Sequence, residues 1–224
     1  PYKIYTNTYL LDTPSLSFFF FFLTKIQEQN HNIYICHRQQ NTVLMKYMIL
    51  SDIHGCETTL KQALDAFRQT NCDYLLLLGD ILYYGPRNCI PEGCNAQGVA
   101  TLLNQINDKV MAIRGNCDAE VDQMLLDFPC MSDYAWVMDE GNRLFLTHGH
   151  IYNEEHLPKG NTDFFFYGHT HLWKLEKQGE TVICNVGSIT FPKGGNLPTY
   201  AIFEKGQIRI YSLTDHSLLK ELTR

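Results

Sequence analysis

Five short segments of this 224-residue chain set carboxylate, amide or imidazole side chains beside a glycine: Asp52-Ile53-His54-Gly55, Gly79-Asp80, Gly115-Asn116-Cys117-Asp118, Thr147-His148-Gly149-His150 and Gly168-His169-Thr170-His171. Oxygen and imidazole donors of this kind suit hard-to-borderline divalent cations, Mn, Fe or Zn ahead of Ca or Mg. Of nine histidines, His54, His148, His169 and His171 fall in these segments, and Asp52, Asp80 and Asn116 complete a set of seven donors. Two cations held about 4 Å apart need one ligand in common and a shared water. Asp80 is the natural bridge. Taken alone, an Asp-x-His or His-x-His pair is usually an ordinary loop feature. Five such segments, each at the end of an expected strand, point to one site.

The elements that must bring them together are legible in the apolar periodicity. Strands are expected at residues 47–50, 74–78 and 110–113, and helices at 57–69 and around Val99, Leu102, Leu103 and Ile106. In the first helix Leu60, Ala63, Leu64 and Phe67 recur at i, i+3, i+4, i+7, which makes one buried stripe. Three strand–helix repeats predict a mainly parallel central sheet. Ligands of open α/β sheets bind beyond the carboxyl ends of the strands, where the five segments lie. After Asp133 the signals become short strands, at 134–138, 144–147, 163–167, 172–175, 181–184, 200–203 and 208–211. Lys205-Gly206 and Gln178-Gly179 read as hairpin turns. The whole fits two sheets packed face to face with helices outside, in one domain over residues 45–224.

Residues 1–44 differ in character, with Asn, Gln and Thr around the run Phe18-Phe19-Phe20-Phe21-Phe22-Leu23. That run is far short of the roughly 20 residues that cross a bilayer. It also lacks the basic flank and small-residue cleavage site of a secretory signal. The segment is expected to be an atypical extension of the domain, either genuine or translated upstream sequence. The net charge of −6 speaks against a general nucleic-acid binder, which needs a concentrated basic face. Eight cysteines show neither a disulfide framework nor paired zinc spacing; Cys89 and Cys94 have no second pair to complete a site and read as loop cysteines. A reducing, cytoplasmic location with no membrane attachment is expected. The oligomeric state is left open, a homo-oligomer included.

The set Asp52-x-His54, Gly79-Asp80, Gly115-Asn116, His148-Gly149-His150 and Gly168-His169-x-His171 resembles the calcineurin-like metallophosphoesterase signature, and within that family the bacterial YfcE-like phosphodiesterases. The resemblance covers essentially residue 45 to the C-terminus. It implies a four-layer αββα sandwich of two mixed β-sheets flanked by helices, and a dinuclear centre often activated by manganese, with Zn, Fe or Mg as alternatives. Carried over by motif, one metal takes Asp52, His54, Asp80 and His171, and the other takes Asp80, Asn116, His148 and His169.

The expected reaction is in-line attack on phosphorus by a hydroxide held between the two cations, with a small phosphate ester as substrate. Arg87, in the loop after the bridging aspartate, is placed either to grip a phosphate oxygen or to stand as a solvated loop cation. Arg114 is expected to be structural, paired with Asp118. Members of the family usually carry His after the motif asparagine, as acid for the leaving oxygen. Here that residue is Cys117, a weaker donor that favours diesters with good leaving groups; packing beside the metals is the competing reading. His150 is either a substitute acid or a support for the ligands. A phosphodiesterase is the leading expectation. The alternatives are a phosphomonoesterase or protein phosphatase, and a protein-binding scaffold like the metallophosphoesterase-like subunit of retromer, a conversion that erodes ligand histidines this chain retains.

Overall fold

In the computed structural model, which describes residues 44–224 and the backbone of one short strand, β1 (Tyr34–Ile35), the strand–helix alternation of the first half is present. The phenylalanine run and the other expectations for residues 1–43 lie outside the described residues. β2 (Lys46–Leu50) leads to α1 (Glu57–Gln69), β3 (Tyr74–Leu77) to α2 (Ala96–Asn104), and β4 (Val110–Ala112) to the single-turn α3 (Glu120–Gln123). All four stripe residues of α1 are buried. Its first-turn Glu57 complements the helix dipole and pairs with Lys61 at 2.6 Å. α2 begins at Asn95, whose side-chain oxygen accepts the Gly98 N–H.

The second half supplies β5 (Tyr134–Asp139), β6 (Asn142–Thr147), β7 (Phe164–Tyr167), β8 (Lys174–Gln178), β9 (Thr181–Asn185), β10 (Thr199–Glu204), β11 (Gln207–Ser212) and β12 (Leu218–Thr223). These strands form two mixed sheets, ordered β12-β11-β10-β2-β3-β4 and β1-β5-β6-β7-β9-β8. The expected parallel sheet is therefore only the β2-β3-β4 half of the first sheet, because β10 adds antiparallel to β2 and carries β11 and β12 by hairpins. In the second sheet β6, β7 and β9 run parallel to one another. Hairpins occur at Lys205-Gly206 and after Gln178, as the sequence suggests, and also at Glu140-Gly141. Glu140 and Gly141 both have positive φ, the backbone that matches strand twist in a two-residue turn.

Period-2 alternation assigns each strand residue to a layer. Ile49, Leu76, Ala201 and Phe203 of the first sheet meet Leu144, Leu146, Phe164, Phe166 and Val182 of the second in one buried core. The opposite face of the first sheet, with Met48, Leu50, Leu75 and Leu77, is covered by α1 and α2 through Leu60, Leu64, Val99 and Leu103. On the outer face of the second sheet Phe145, Phe165, Tyr167 and Ile183 pack against Tyr152 and Leu157. Among the described residues that fourth layer is loop, not helix; Tyr152 and Leu157 from the segment after β6 give the sheet the cover that a helix would give.

Phe166 is fully buried between the sheets. A Phe166→Ala variant is expected to lose about 3–5 kcal/mol of unfolding free energy in a urea titration, and a loss under about 1 kcal/mol would contradict a single close-packed inter-sheet core.

Candidate metal centre

All five donor segments leave the carboxyl ends of strands that run parallel within their sheet: Asp52 after β2, Asp80 after β3, Asn116 after β4, His148 after β6, and His169 and His171 after β7. Cross-bonds tie the loops together. The N–H groups of Asp52 and His54 donate to the carbonyls of Gly79 and Asp80 at 3.2 and 2.8 Å, and the His169 N–H donates to Asp52 Oδ2 at 3.0 Å. Close approach demands glycine at two points: a Cβ on Gly79 would strike the Gly115 backbone, and one on Gly168 would strike the side chains of Ser51 and Asp52. Five of the seven donors, Asp52, His54, Asp80, His169 and His171, hold left-handed backbone with φ between 50° and 64°. Such conformers cost roughly 1–3 kcal/mol each for a residue with a side chain and persist where surrounding structure over-determines them.

The side chains converge as the sequence predicts. His54 Nε2 and His171 Nε2 lie 3.5 and 3.2 Å from Asp52 Oδ1 and 3.3 Å from each other. Asp80 Oδ2 stands between two histidines, 3.8 Å from His54 Nε2 and 3.5 Å from His148 Nε2, so this one carboxylate faces both halves of the cluster. The Asn116 amide oxygen is 3.1 Å from His148 Nε2, and His169 Nδ1 is 3.3 Å from the same nitrogen. The half with Asp52, His54 and His171 is buried, whereas Asn116 is exposed and His169 half-buried, so the second half opens to solvent.

Backbone carbonyls set the imidazole tautomers. His54 Nδ1 donates to Tyr83 O at 2.9 Å, His148 Nδ1 to Leu78 O at 2.7 Å and His171 Nδ1 to Phe191 O at 2.7 Å. Each neutral ring then turns an Nε2 lone pair toward the carboxylates. The buried Asp52 Oδ1 has no hydrogen-bond partner among the described residues, and it faces two such lone pairs. Acceptors gathered this way repel one another unless a cation or proton lies among them. The donor set therefore fits divalent cations, one in each half, with Asp80 between. Without metal, protons fill that role. Burial disfavours charge on Asp52, yet the imidazoles of His171 and His54 at its Oδ1, which donate to it when they carry a second proton, outweigh that penalty and hold the carboxyl well below its ordinary range. His148 also loses hydration on burial, but the carboxylates of Asp80 and Asp52 push it up to about 9.

The remaining predicted residues divide. Cys117 borders the site: its N–H donates to Asp80 Oδ1 at 2.8 Å, and its Sγ accepts from Asn116 Nδ2 at 3.2 Å. Burial and the Asp80 carboxylate push the thiol up to about 12, so it is protonated and uncharged through the neutral range. His150 packs edge-on to His148, with ring centroids 5.4 Å apart, but burial and charge on His148 push its imidazole down to about 4. A ring that is neutral at pH 7 has no proton to spare as a general acid, which favours the supporting role. Arg87 is exposed and makes no ion pair among the described residues; its loop touches the site through Gly85, which lies against Cys117. Arg114 is not the partner of Asp118. It bonds Asp133 at 2.7 Å because its side chain leaves toward the surface, while Asp118 turns inward.

Asp118 is one of two features that the motif reading missed. Its carboxylate accepts the N–H groups of Asp80 and Ile81, both at 2.8 Å, and of Gly115 at 2.7 Å, clasping two donor loops together. The other is the loop after β9. Ser188 Oγ donates to Asp52 O, Thr190 Oγ1 to Ile53 O and Asn185 Nδ2 to Gly168 O, and Phe191 O orients His171. The signal was present as Asn185, Gly187 and Ser188 at a strand end, the same polar-plus-glycine pattern as in the other five segments.

Comparison with known proteins agrees with this geometry. Residues 45–207 match the model of the calcineurin-like phosphoesterase superfamily domain. The chain belongs to the calcineurin-like phosphoesterase superfamily. Within this superfamily it is 44% identical over 180 residues to phosphodiesterase YfcE of Escherichia coli K12, across 80% of this chain and 98% of the relative. The solved structure of E. coli YfcE, described as a phosphoesterase, superposes with a TM-score of 0.78 at 43% identity, over 80% of this chain and 99% of that one. Phosphodiesterase MJ0936 of Methanocaldococcus jannaschii is 25% identical over 168 residues, covering 71% of this chain and 93% of the relative. Vacuolar protein sorting 29 of Cryptosporidium parvum shares the superfamily fold, with a TM-score of 0.56 at 16% identity over 81% of this chain and 99% of that one. Among the described residues no helix is long and apolar enough to cross a membrane.

Two outcomes follow from the site. His148 has a folded value near 9, above its unfolded value of about 6.5, so its proton stabilises the metal-free fold below about pH 6.5 and that contribution is lost as pH rises through 9. The Tm of metal-free protein should fall between pH 6.5 and 9 and saturating manganese should flatten that fall; equal slopes with and without metal would contradict proton–cation exchange at the site. Asp118→Ala leaves three buried N–H donors unpaired and is expected to cost roughly 3 kcal/mol in chemical denaturation, whereas a cost near zero would show that the clasp is dispensable.

Proposed function

We propose that this protein is a manganese-dependent phosphodiesterase acting on small phosphate diesters. The observation that carries it is the position of Asp80 Oδ2 between His54 Nε2 and His148 Nε2, which gives two ligand sets one carboxylate in common. Asp52, His54, Asp80 and His171 would hold one cation, and Asp80, Asn116, His148 and His169 the other. Two divalent cations held by these residues would make water a competent nucleophile near neutral pH and would neutralise phosphoryl charge. Manganese suits a donor set of carboxylate, amide oxygen and imidazole that includes no thiolate.

The chain's own groups do the rest. Tyr83, Leu78 and Phe191 carbonyls hold three imidazoles as lone-pair donors, so metal binding needs no tautomer change. The open side at Asn116, Cys117 and His169 is where an ester can reach the centre. Cys117 meets it there as an uncharged thiol. It offers no positive charge to the dianion of a monoester, and it protonates a leaving oxygen only weakly, which together favour a monoanionic diester. The convergence of all seven donors argues against a scaffold that has lost its chemistry. The free thiols among the described residues suit a reducing cytoplasm.

Turnover of paired aryl diesters and aryl monoesters with added manganese tests the assignment. The diester should be preferred, and a preference for the monoester would reverse it. Cys117→His should raise turnover of esters with poor leaving groups by at least about tenfold, while unchanged relative rates across leaving groups would remove Cys117 from proton transfer.

A further inference from the structure

We propose that the cleft lined by Tyr83, Tyr84, Cys117, Val121 and Leu125 binds an uncharged aromatic ester group of the substrate, an inference that rests on the phosphodiesterase reading and narrows it. The cleft encloses about 320 Å³, room for a ring with its linking oxygen. It adjoins the metal centre through two residues: Cys117 lines it and also bonds Asp80 through its N–H, and Tyr83 lines it while its carbonyl orients His54.

The lining side chains define the chemistry. Tyr83, Val121 and Leu125 are 44%, 59% and 37% exposed, an unusual gathering of large apolar groups at the mouth of a site otherwise made of carboxylates and imidazoles. The Tyr83 and Tyr84 rings lie 5.1 Å apart and tilted by 46°, giving aromatic surface against which a further ring can pack. Asp122 is the one lining residue that carries charge, and its carboxylate accepts the Ala119 N–H at 2.9 Å. No lysine or arginine lines the cleft, so it does not suit a second phosphate. A nucleobase would bring polar edges that the apolar wall leaves unpaired, at a cost in affinity. An aryl substituent meets neither obstacle. Another cleft among the described residues, about 440 Å³, is lined by Glu140, Asn142, Lys205, Gly206, Thr223 and Arg224 and contains none of the seven donors.

The test is a titration of the metal-free full chain, followed by NMR of its leucine and valine methyl groups. Phenylphosphonate should shift the Val121 and Leu125 methyls at concentrations at least about tenfold below those needed with methylphosphonate. Equal responses to the two would overturn the proposal. Thymidine 5′-phosphate should act more weakly than phenylphosphonate, and an equal or stronger response would overturn the restriction to an apolar ring. In Val121→Asp, at an exposed position, the phenyl preference should fall about tenfold with the methyl signals of Leu75 and Leu77 unmoved; a retained preference would place the ring elsewhere. Hydrolysis of methyl phenyl phosphate by manganese-loaded protein reads the enzymatic assignment separately. Methyl shifts without turnover would support the cleft and sink that assignment, and turnover without the shifts would sink the cleft alone.

Discussion

Two buried carboxylates, Asp52 and Asp80, share a pocket with three imidazoles, those of His54, His148 and His171, whose lone pairs are turned toward them, and the rest of the architecture serves to hold that repulsive arrangement in place. Like charges at this depth raise each other's proton affinity, as Asp52 does for Asp80. The cost is met by the folded framework: three carbonyls that fix imidazole tautomers, the Asp118 clasp and the inter-loop bonds from Ser188 and Thr190. A pocket so arranged has strong affinity for positive charge, whether from protons or from metal, and this is the physical origin of the hydrolytic chemistry.

The two-sheet design explains how six loops reach one point. Each sheet contributes three strands that run parallel and end on the same side, β2, β3 and β4 from one, β6, β7 and β9 from the other. The shared core of Ile49, Leu76, Phe164 and Phe166 fixes the spacing of the sheets and hence the distance between Asp52 and the loop of His169. Left-handed backbone at five donors turns their side chains back over the strand ends, and the tolerance for that strain depends on the rigidity beneath. Packing and chemistry are thus coupled through the glycines that let the loops touch.

Much of this was readable in the chain. The donors stand out because each of their five segments sets carboxylate, amide or imidazole groups with a glycine after an apolar run, and α1 because four stripe residues keep strict helical spacing. What escaped did so for local reasons. β12 is an edge strand with no fully buried residue, so it lacks the alternation that marks a half-buried strand. α3 is one turn long, too short for a period. The Asp118 clasp depends on side-chain direction: a carboxylate two residues from Asn116 is as able to meet Arg114 as to turn inward, and only the fold shows which N–H groups it caps. The loop cover over the second sheet has large apolar residues without periodicity, since Tyr152 and Leu157 sit in irregular chain.

The central claim is that Asp80 joins two cation sites into one centre. The most direct measurement is elemental analysis of the full chain after manganese loading and removal of free metal, made in parallel on Asp80→Asn. About two ions per chain, falling to about one or none in the variant, is the predicted result. One ion or fewer in the unaltered protein, or two retained without the Asp80 carboxylate, would contradict the account.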